Sequence, residues 1–112
     1  VHLTSPCGRE VAQAGVAGRM SEVWATRDST EYIERVALDS VKNVRQAKKA
    51  IEKAFRNQVE GKGFSMVELL STCPTNWGLY PIDALYWLRD NMMPYYPLGV
   101  FKDQDAQGEG QA

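Results

Sequence analysis

Cys73 is the side chain of this sequence with the widest range of chemistry. It lies in the run 70–78 (LSTCPTNWG), directly after the apolar run Phe64–Leu70, which follows Gly61 and Gly63. Short apolar runs of this kind are typical of parallel strands that are buried on both faces. The thiol is therefore expected just past the carboxyl end of a buried strand, where open α/β sheets bind ligands and cofactors.

Three roles are open to a cysteine in this loop. Pro74 favours an extended backbone at Cys73 and has no N–H group to donate, so the thiol lies on a stiffened segment. As a thiolate, Cys73 can ligate a soft metal or attack an electrophile, and as a thiol it can pack as a small apolar side chain. Nucleophilic catalysis is the weakest of the three, because His2 is the only histidine and nothing pairs it with the thiol.

The composition indicates the cellular compartment and argues against nucleic-acid and membrane binding. Two cysteines that lie as far apart as Cys7 and Cys73 favour free thiols in a reducing compartment, and the expected location is the cytoplasm. The 112 residues include 13 basic and 14 acidic side chains, for a formal net charge of −1, so nucleic-acid binding is not expected. No apolar run approaches the roughly 20 residues of a transmembrane helix, so no membrane association is expected either.

The elements that position the Cys73 loop form a strand–helix–strand unit. Aromatic and β-branched residues predict a strand over 32–38, and Phe64–Leu70 is the second strand. Between them, Val41–Val59 is predicted as a long amphipathic helix, with Asp39 or Ser40 as its N-cap. The long crossover makes the two strands parallel, so the predicted fold class is α/β. The predicted packing face of the helix comprises Val41, Val44, Ala47, Ile51, Ala54, Phe55 and Gln58.

Helices are also predicted on either side of this unit. Met20, Val23 and Trp24 give residues 19–26 the spacing of a short amphipathic helix. A further helix is predicted over 81–93, because one proline suits its first turn and another stops it.

Residues 95–101 are aromatic and proline-rich without a helical period, which predicts an extended strap. The chain is thus predicted as a single segment with a loop-rich start (1–18), an α/β core (19–103) and a flexible tail (104–112). Two parallel strands need neighbours, and strand 32–38 is expected to leave an open edge. The isolated chain is therefore expected to self-associate.

Three stretches of the sequence resemble a known enzyme family. Residues 61–65 (GKGFS), 70–78 and 94–103 (PYYPLGVFKD) resemble the β subunits of 2-oxoacid:ferredoxin oxidoreductases of the 2-oxoglutarate or 2-ketoisovalerate type. The resemblance thins before Ser5 and after Asp103, and it corresponds to the C-terminal part of the β subunit. It implies that this βαβ fragment, with its flanking helices, belongs to a larger thiamine-diphosphate-binding fold.

The resemblance also implies cofactors and partners. Such enzymes use thiamine diphosphate, Mg²⁺ and a 4Fe-4S cluster to convert a 2-oxoacid into its acyl-coenzyme A, and they pass electrons to ferredoxin. The implied partners are the α subunit and other subunits of the oxidoreductase, ferredoxin, the 2-oxoacid and coenzyme A. Cys73 matches the fourth cysteine ligand of the cluster, whose other three lie upstream in the family. Cys7 matches no ligand, and Thr72 stands where many relatives have proline.

Part of the family's cofactor site is missing from this sequence. The Gly-Asp-Gly segment and the downstream Asn that hold magnesium and the diphosphate do not occur. The isolated chain is therefore expected to bind no cofactor, to contain no catalytic residue and to be inactive.

An alternative from another class is a stand-alone α/β interaction module whose basic helix, 41–59, docks an acidic protein. The simpler interpretation is that this helix has no docking role and only exposes a charged face to solvent.

Overall fold

The computed structural model describes residues 17–109, without the side chains of 107–109, so His2 and Cys7 lie outside the described residues. It has the mixed α/β fold that the sequence predicted. The strands are β1 (Thr30–Ala37), β2 (Phe64–Leu70) and β3 (Gly99–Asp103). The helices are α1 (Met20–Ala25), α2 (Val41–Val59), α3 (Pro74–Trp77), α4 (Pro81–Trp87), which continues as a π-helical turn (Leu88–Met92), and α5 (Gln104–Glu109).

The three strands form one sheet in the order β2-β1-β3. β1 and β2 are parallel and joined by α2, which confirms the predicted strand–helix–strand unit. β3 runs antiparallel to β1 on its other side. The extended strap predicted over 95–101 is extended in its last part, where residues from Gly99 onward pair with β1, but residues 95 and 96 lie in a turn and a bend. Propensity alone did not identify this strand, since only the free edge of β1 gives it a partner.

The buried strand is β1, whereas the sequence analysis assigned that role to β2. Ile33 and Ala37 are fully buried, and seven of the eight residues of β1 are classed as buried. In β2 only Leu70 is buried, and Phe64 keeps 47% of its surface exposed. The reason is position, because β1 has a strand on each side and β2 is an edge strand.

Helix α2 covers one face of the sheet with its smallest side chains. The predicted N-cap is confirmed at Ser40, whose hydroxyl accepts a hydrogen bond from the Asn43 N–H at 3.2 Å. Ala47 and Ala50 pack against Val36, so the helix approaches β1 closely. The predicted packing face was wrong in part. Its largest residue, Phe55, is 70% exposed, Val41 is 68% exposed and Ile51 is 37% exposed.

The opposite face of the sheet is covered by α1, α4 and the π-helical turn. A core cluster there joins Ala37 and Leu70, at the carboxyl ends of the two parallel strands, to Trp77 and Leu88. Helix α1 was predicted correctly in position, but its packing face was wrong in part, since only Trp24 of the three predicted residues packs, against Phe64. Ser21 is fully buried, and the hydrogen bond that its hydroxyl donates to the Glu68 carboxylate satisfies this buried polar group. Met20 and Val23 are exposed.

The segment predicted as a flexible tail begins with a helix. Helix α5 follows directly on β3, and the Gln104 side chain donates a hydrogen bond to the Thr30 carbonyl oxygen at 2.7 Å. Lys62 forms an ion pair with Asp105 at 3.0 Å. Within 17–109 no helix is long and apolar enough to cross a membrane.

Self-association remains a prediction, but the edge assigned to it was wrong. β1 is central, so the strands whose outer edges lack a partner within the described residues are β2 and β3. Both carry exposed apolar side chains, among them Phe64, Leu69 and Val100 (47%, 37% and 54% exposed). Unpaired apolar edges template pairing with another chain. We expect light scattering after gel filtration to give at least twice the monomer mass. A monodisperse monomer at millimolar concentration would contradict this.

Candidate functional site

The Cys73 thiol lies past the carboxyl end of β2, as predicted from the sequence, and it is exposed. Cys73 is the N-cap residue of α3, and its carbonyl oxygen accepts a hydrogen bond from the Trp77 N–H at 2.9 Å. The cysteine is free and its surface is exposed. The interpretation of Cys73 as a buried small apolar side chain was therefore wrong.

The loop behind the thiol is held by aromatic packing and by a tight turn. Trp77 is buried, and its ring lies 4.9 Å from that of Trp87, measured between centroids. Helix α3 ends at Gly78, whose φ of 69° is in the left-handed region that suits glycine. The Leu79 N–H then donates to the Pro74 carbonyl oxygen at 3.1 Å. These contacts fix the backbone of the loop, so that the thiol has a defined position at the surface.

At the carboxyl end of β1, a charged pair ties the sheet to the π-helical turn. Asp39 is buried, and its carboxylate accepts hydrogen bonds from Arg89 Nε at 2.8 Å and from the Asn43 amide at 2.6 Å. Burial favours the protonated carboxyl, but these hydrogen bonds outweigh it and lower the pKa of Asp39 from its usual value. Arg89 also donates to the Asp39 carbonyl oxygen at 2.7 Å. The contacts satisfy both groups, which indicates a structural role.

The most buried charge in the described chain is Arg35, to which the sequence analysis gave no role. Its side chain is fully buried, forms ion pairs with Glu22 at 2.6 Å and Glu68 at 2.9 Å, and donates to the Pro97 carbonyl oxygen at 3.2 Å. The rings of Tyr96 and Phe101 lie 5.3 and 5.0 Å from its guanidinium carbon. The hydrogen bonds from Arg35 lower the pKa of the Glu22 carboxyl.

A signal for this network was present in the sequence. Arg35 lies directly opposite Glu68 in the register of the parallel pair, so two charges of opposite sign face each other across the strands. Glu22 comes from α1 and Pro97 from the segment before β3. Arg35 thus joins both neighbours of β1 to the helical layer, and it supports the sheet rather than reaching the Cys73 loop.

The described residues supply one thiolate and no complete metal site. Among residues 17–109 no group of three or more His, Cys, Asp or Glu side chains is placed to hold an ion. Within these residues Cys73 could therefore supply at most one ligand of a metal site. A thiolate suits iron in a cluster better than it suits Mg²⁺, which prefers oxygen.

The basic face of α2 is the second feature that the sequence analysis singled out. Its exposed cations Lys42, Arg45, Lys48 and Lys49 form no ion pair within the described residues. Phe55 and Val59 are exposed on the same helix. The face is therefore accessible, and it lies on the opposite side of the sheet from α4.

Gly61 and Gly63, between α2 and β2, have a local structural explanation. Their φ angles of 68° and 126° are both conformations that residues with a side chain rarely adopt. The Lys62 N–H donates to the Asn57 carbonyl oxygen at 2.9 Å, which closes the end of the helix. This agrees with the interpretation of the segment as a helix stop.

Comparison with known proteins gives two relatives. Over 109 residues, or 97% of this chain, the sequence is 37% identical to the ketoisovalerate oxidoreductase subunit VorA of Methanothermobacter thermautotrophicus. It is 36% identical, over the same share, to the subunit of that name from Methanothermobacter marburgensis. No family model and no solved structure matches the chain.

The similarity extends along nearly the whole chain but covers only part of each relative. The chain spans 23% of the length of the curated relatives it matches. The two names agree with the resemblance to 2-oxoacid oxidoreductase subunits, and with its 2-ketoisovalerate type. Along almost all of its length, this chain is therefore similar to about a quarter of a ketoisovalerate oxidoreductase subunit.

Proposed function

We propose that this chain is the C-terminal part of the β subunit of a 2-oxoacid:ferredoxin oxidoreductase, in which Cys73 is one ligand of a 4Fe-4S cluster. The observation that carries the proposal is the 37% identity along 97% of the chain to a ketoisovalerate oxidoreductase subunit. It is supported by the exposed, unpaired Cys73 thiol at the carboxyl end of a parallel strand.

The residues near Cys73 fit a cluster ligand in three respects. The thiol is accessible, and its loop is fixed by the buried Trp77. Pro74 has no backbone N–H group and stiffens the loop. Trp87 packs on Trp77 behind the loop. A cluster bound there supplies electron transfer, with a potential set by nearby hydrogen bonds and solvent exposure.

Thiamine diphosphate and Mg²⁺ do not fit the described residues. The oxygen ligands that the cation prefers are not grouped in this part of the chain, and Gly61 and Gly63 serve the helix end. In the proposed enzyme these cofactors are held by other parts of the protein. The role of this chain is then to place Cys73 beside these cofactors. Its Arg35 network supports the sheet that carries the Cys73 loop.

The overall reaction of the proposed enzyme balances with the proposed partners. A 2-oxoacid anion and the coenzyme A thiol give an acyl-coenzyme A, carbon dioxide, a proton and two electrons, and ferredoxin accepts the electrons. The α subunit and the other subunits of the oxidoreductase complete the assembly. The names of the relatives favour 2-ketoisovalerate over 2-oxoglutarate as the substrate.

The substrate is tested with the complete assembly purified under anaerobic conditions. We expect 2-ketoisovalerate to support ferredoxin reduction at least about tenfold more efficiently, as kcat/KM, than 2-oxoglutarate, because the two acids differ in a terminal carboxylate that an apolar pocket rejects. The 112-residue chain alone is the negative control, and it is expected to show no turnover and no binding of thiamine diphosphate by calorimetry. Equal or better use of 2-oxoglutarate would contradict the substrate assignment.

A stand-alone interaction module is the second candidate. It is favoured by the four exposed cations of α2 that form no ion pair within the described residues, Lys42, Arg45, Lys48 and Lys49. The two proposals differ in what the purified protein is associated with. Isolation together with oxidoreductase subunits supports the first, whereas isolation with an acidic protein that has no oxidoreductase activity supports the second.

A further inference from the structure

A cavity of about 260 Å³ lies between the sheet and α2, on the face opposite α1 and α4. Its wall is formed by β1, by the first half of α2 and by the start of β3. It opens to solvent and does not include the Cys73 loop. The lining residues that carry the argument are Glu34, Asn43, Gln46, Leu98 and Gly99.

Glu34 places a buried carboxylate in this cavity. The residue keeps only 4% of its surface exposed. Its carboxylate accepts hydrogen bonds from the Tyr32 hydroxyl and from the Gln46 amide nitrogen, the latter at 2.9 Å. Within residues 17–109 it forms no ion pair. Lys53, whose ammonium lies 5.1 Å from the Tyr32 ring centroid, is paired with Asp103, and Arg35, which also lines the cavity, is paired with two other carboxylates. A buried carboxylate that lacks a counter-charge is costly.

The two amides near Glu34 each keep an oxygen acceptor and one N–H donor. The Gln46 amide nitrogen donates to Glu34, and the Asn43 amide nitrogen donates to Asp39 at 2.6 Å. Within residues 17–109, no side chain donates a hydrogen bond to either amide oxygen. Burial, and the hydrogen bond to Glu34, raise the pKa of the Tyr32 hydroxyl, so that it remains a donor to this carboxylate. A cation that enters the cavity therefore finds the Glu34 carboxylate and two amide oxygens as acceptors.

The remaining wall leaves room and is apolar. Gly99 has no side chain, and a Cβ atom at its position would meet nothing within 4 Å. Val36 and Leu98 add apolar surface. Ligand pockets for whole drug-sized molecules begin at about 300 Å³, so this cavity suits one small head group with a short apolar stem.

We infer that this cavity binds an organic cation, a primary ammonium or a guanidinium group, which pairs with Glu34 and donates to Asn43 and Gln46. The cation is either a free small molecule or a Lys or Arg side chain of a neighbouring polypeptide. A hard metal ion fits less well, because it needs six or more oxygen ligands and the cavity offers one carboxylate. The inference is independent of the proposed oxidoreductase function.

The test is an NMR titration of the ¹⁵N-labelled 112-residue chain. The probes are n-propylammonium and methylguanidinium, and the neutral controls of similar shape are n-propanol and urea. We expect saturable shifts of the Gln46 and Asn43 side-chain amide signals with the cations, with Kd in about the millimolar range. The neutral compounds are expected to cause no saturable shift. Absence of saturation with both cations, or equal binding of the neutral controls, would overturn the inference.

Variants separate the site from general charge effects. Glu34→Gln keeps the shape of the side chain and is expected to weaken cation binding about tenfold or more, because a charge-assisted pair is lost. Glu31→Gln, on the same strand and outside the cavity lining, is expected to leave it unchanged. Gln46→Lys brings an ammonium group to Glu34 within the chain and is expected to abolish binding while preserving the fold. Unchanged affinity in Glu34→Gln or in Gln46→Lys would overturn the site.

Two further probes distinguish the sources of the cation. The capped tripeptides Gly-Lys-Gly and Gly-Arg-Gly present the same head groups on a backbone. Tighter binding of a tripeptide than of the matching free cation assigns the site to a polypeptide side chain, and weaker binding assigns it to a small molecule. Binding of neither form overturns the inference.

Discussion

The Cys73→Ser variant of the complete subunit is expected to lose ferredoxin-linked 2-oxoacid oxidation by about 100-fold or more. Loss of groups that only orient a metal ligand costs 10- to 100-fold, and loss of a ligand itself is expected to cost at least the upper end of that range. A serine oxygen is also a harder donor than a thiolate and matches cluster iron poorly. The measurement is the rate of ferredoxin reduction in the reconstituted assembly.

Two features make this variant a clean test. Cys73 is exposed, and serine is close to it in volume, so the free energy of unfolding should change by about 1 kcal/mol or less. Cys7→Ser is the matched control, because the family resemblance gives Cys7 no ligand role, and it is expected to keep full activity. Equal loss of activity in both variants would mean that the thiols act in folding rather than in ligation.

The second large effect is expected at Arg35, in the stability of the fold. Arg35→Met is expected to lower the free energy of unfolding by about 3–5 kcal/mol, because it leaves Glu22 and Glu68 without their cation. The Glu68 carboxylate also accepts from the buried Ser21, so the loss extends to the packing of α1. Urea denaturation followed by circular dichroism measures the change.

The controls for Arg35 use the remaining ion pairs. Arg56→Met breaks an exposed pair with Glu52 on α2 and is expected to cost about 0.5 kcal/mol or less. Removing the carboxylates as well, in a combined Glu22→Gln, Arg35→Met and Glu68→Gln variant, is expected to restore part of the lost stability. A loss below about 1 kcal/mol in Arg35→Met would show that the network adds little to the fold.

Local signals in the sequence were enough to place the parallel unit. The glycines before Phe64 mark the start of β2, and the N-cap at Ser40 with a periodic run to Val59 delimits α2. These signals act within a few residues of the backbone they control. They also place Cys73 at the carboxyl end of its strand, which is the main element of the candidate site.

What could not be predicted depends on partners far apart in the chain. β3 is a strand only because β1 has a free edge, and β2 is less buried than its composition suggests because it is itself an edge. The packing face of α2 was mispredicted because close approach to β1 selects Ala47 and Ala50 over the larger Phe55. The cavity at Glu34 likewise arises from the way α2 and β3 meet β1, which no local pattern records.

The iron and acid-labile sulfide content of the complete subunit after anaerobic reconstitution tests the central claim most directly. With Cys73 as a ligand, the native protein and the Cys7→Ser variant should hold equal amounts of both, and Cys73→Ser should lose most of them while keeping its circular dichroism spectrum. Visible absorbance from cluster-bound thiolates should fall in parallel. Full iron and sulfide in a folded Cys73→Ser protein would contradict the assignment of Cys73 as a cluster ligand.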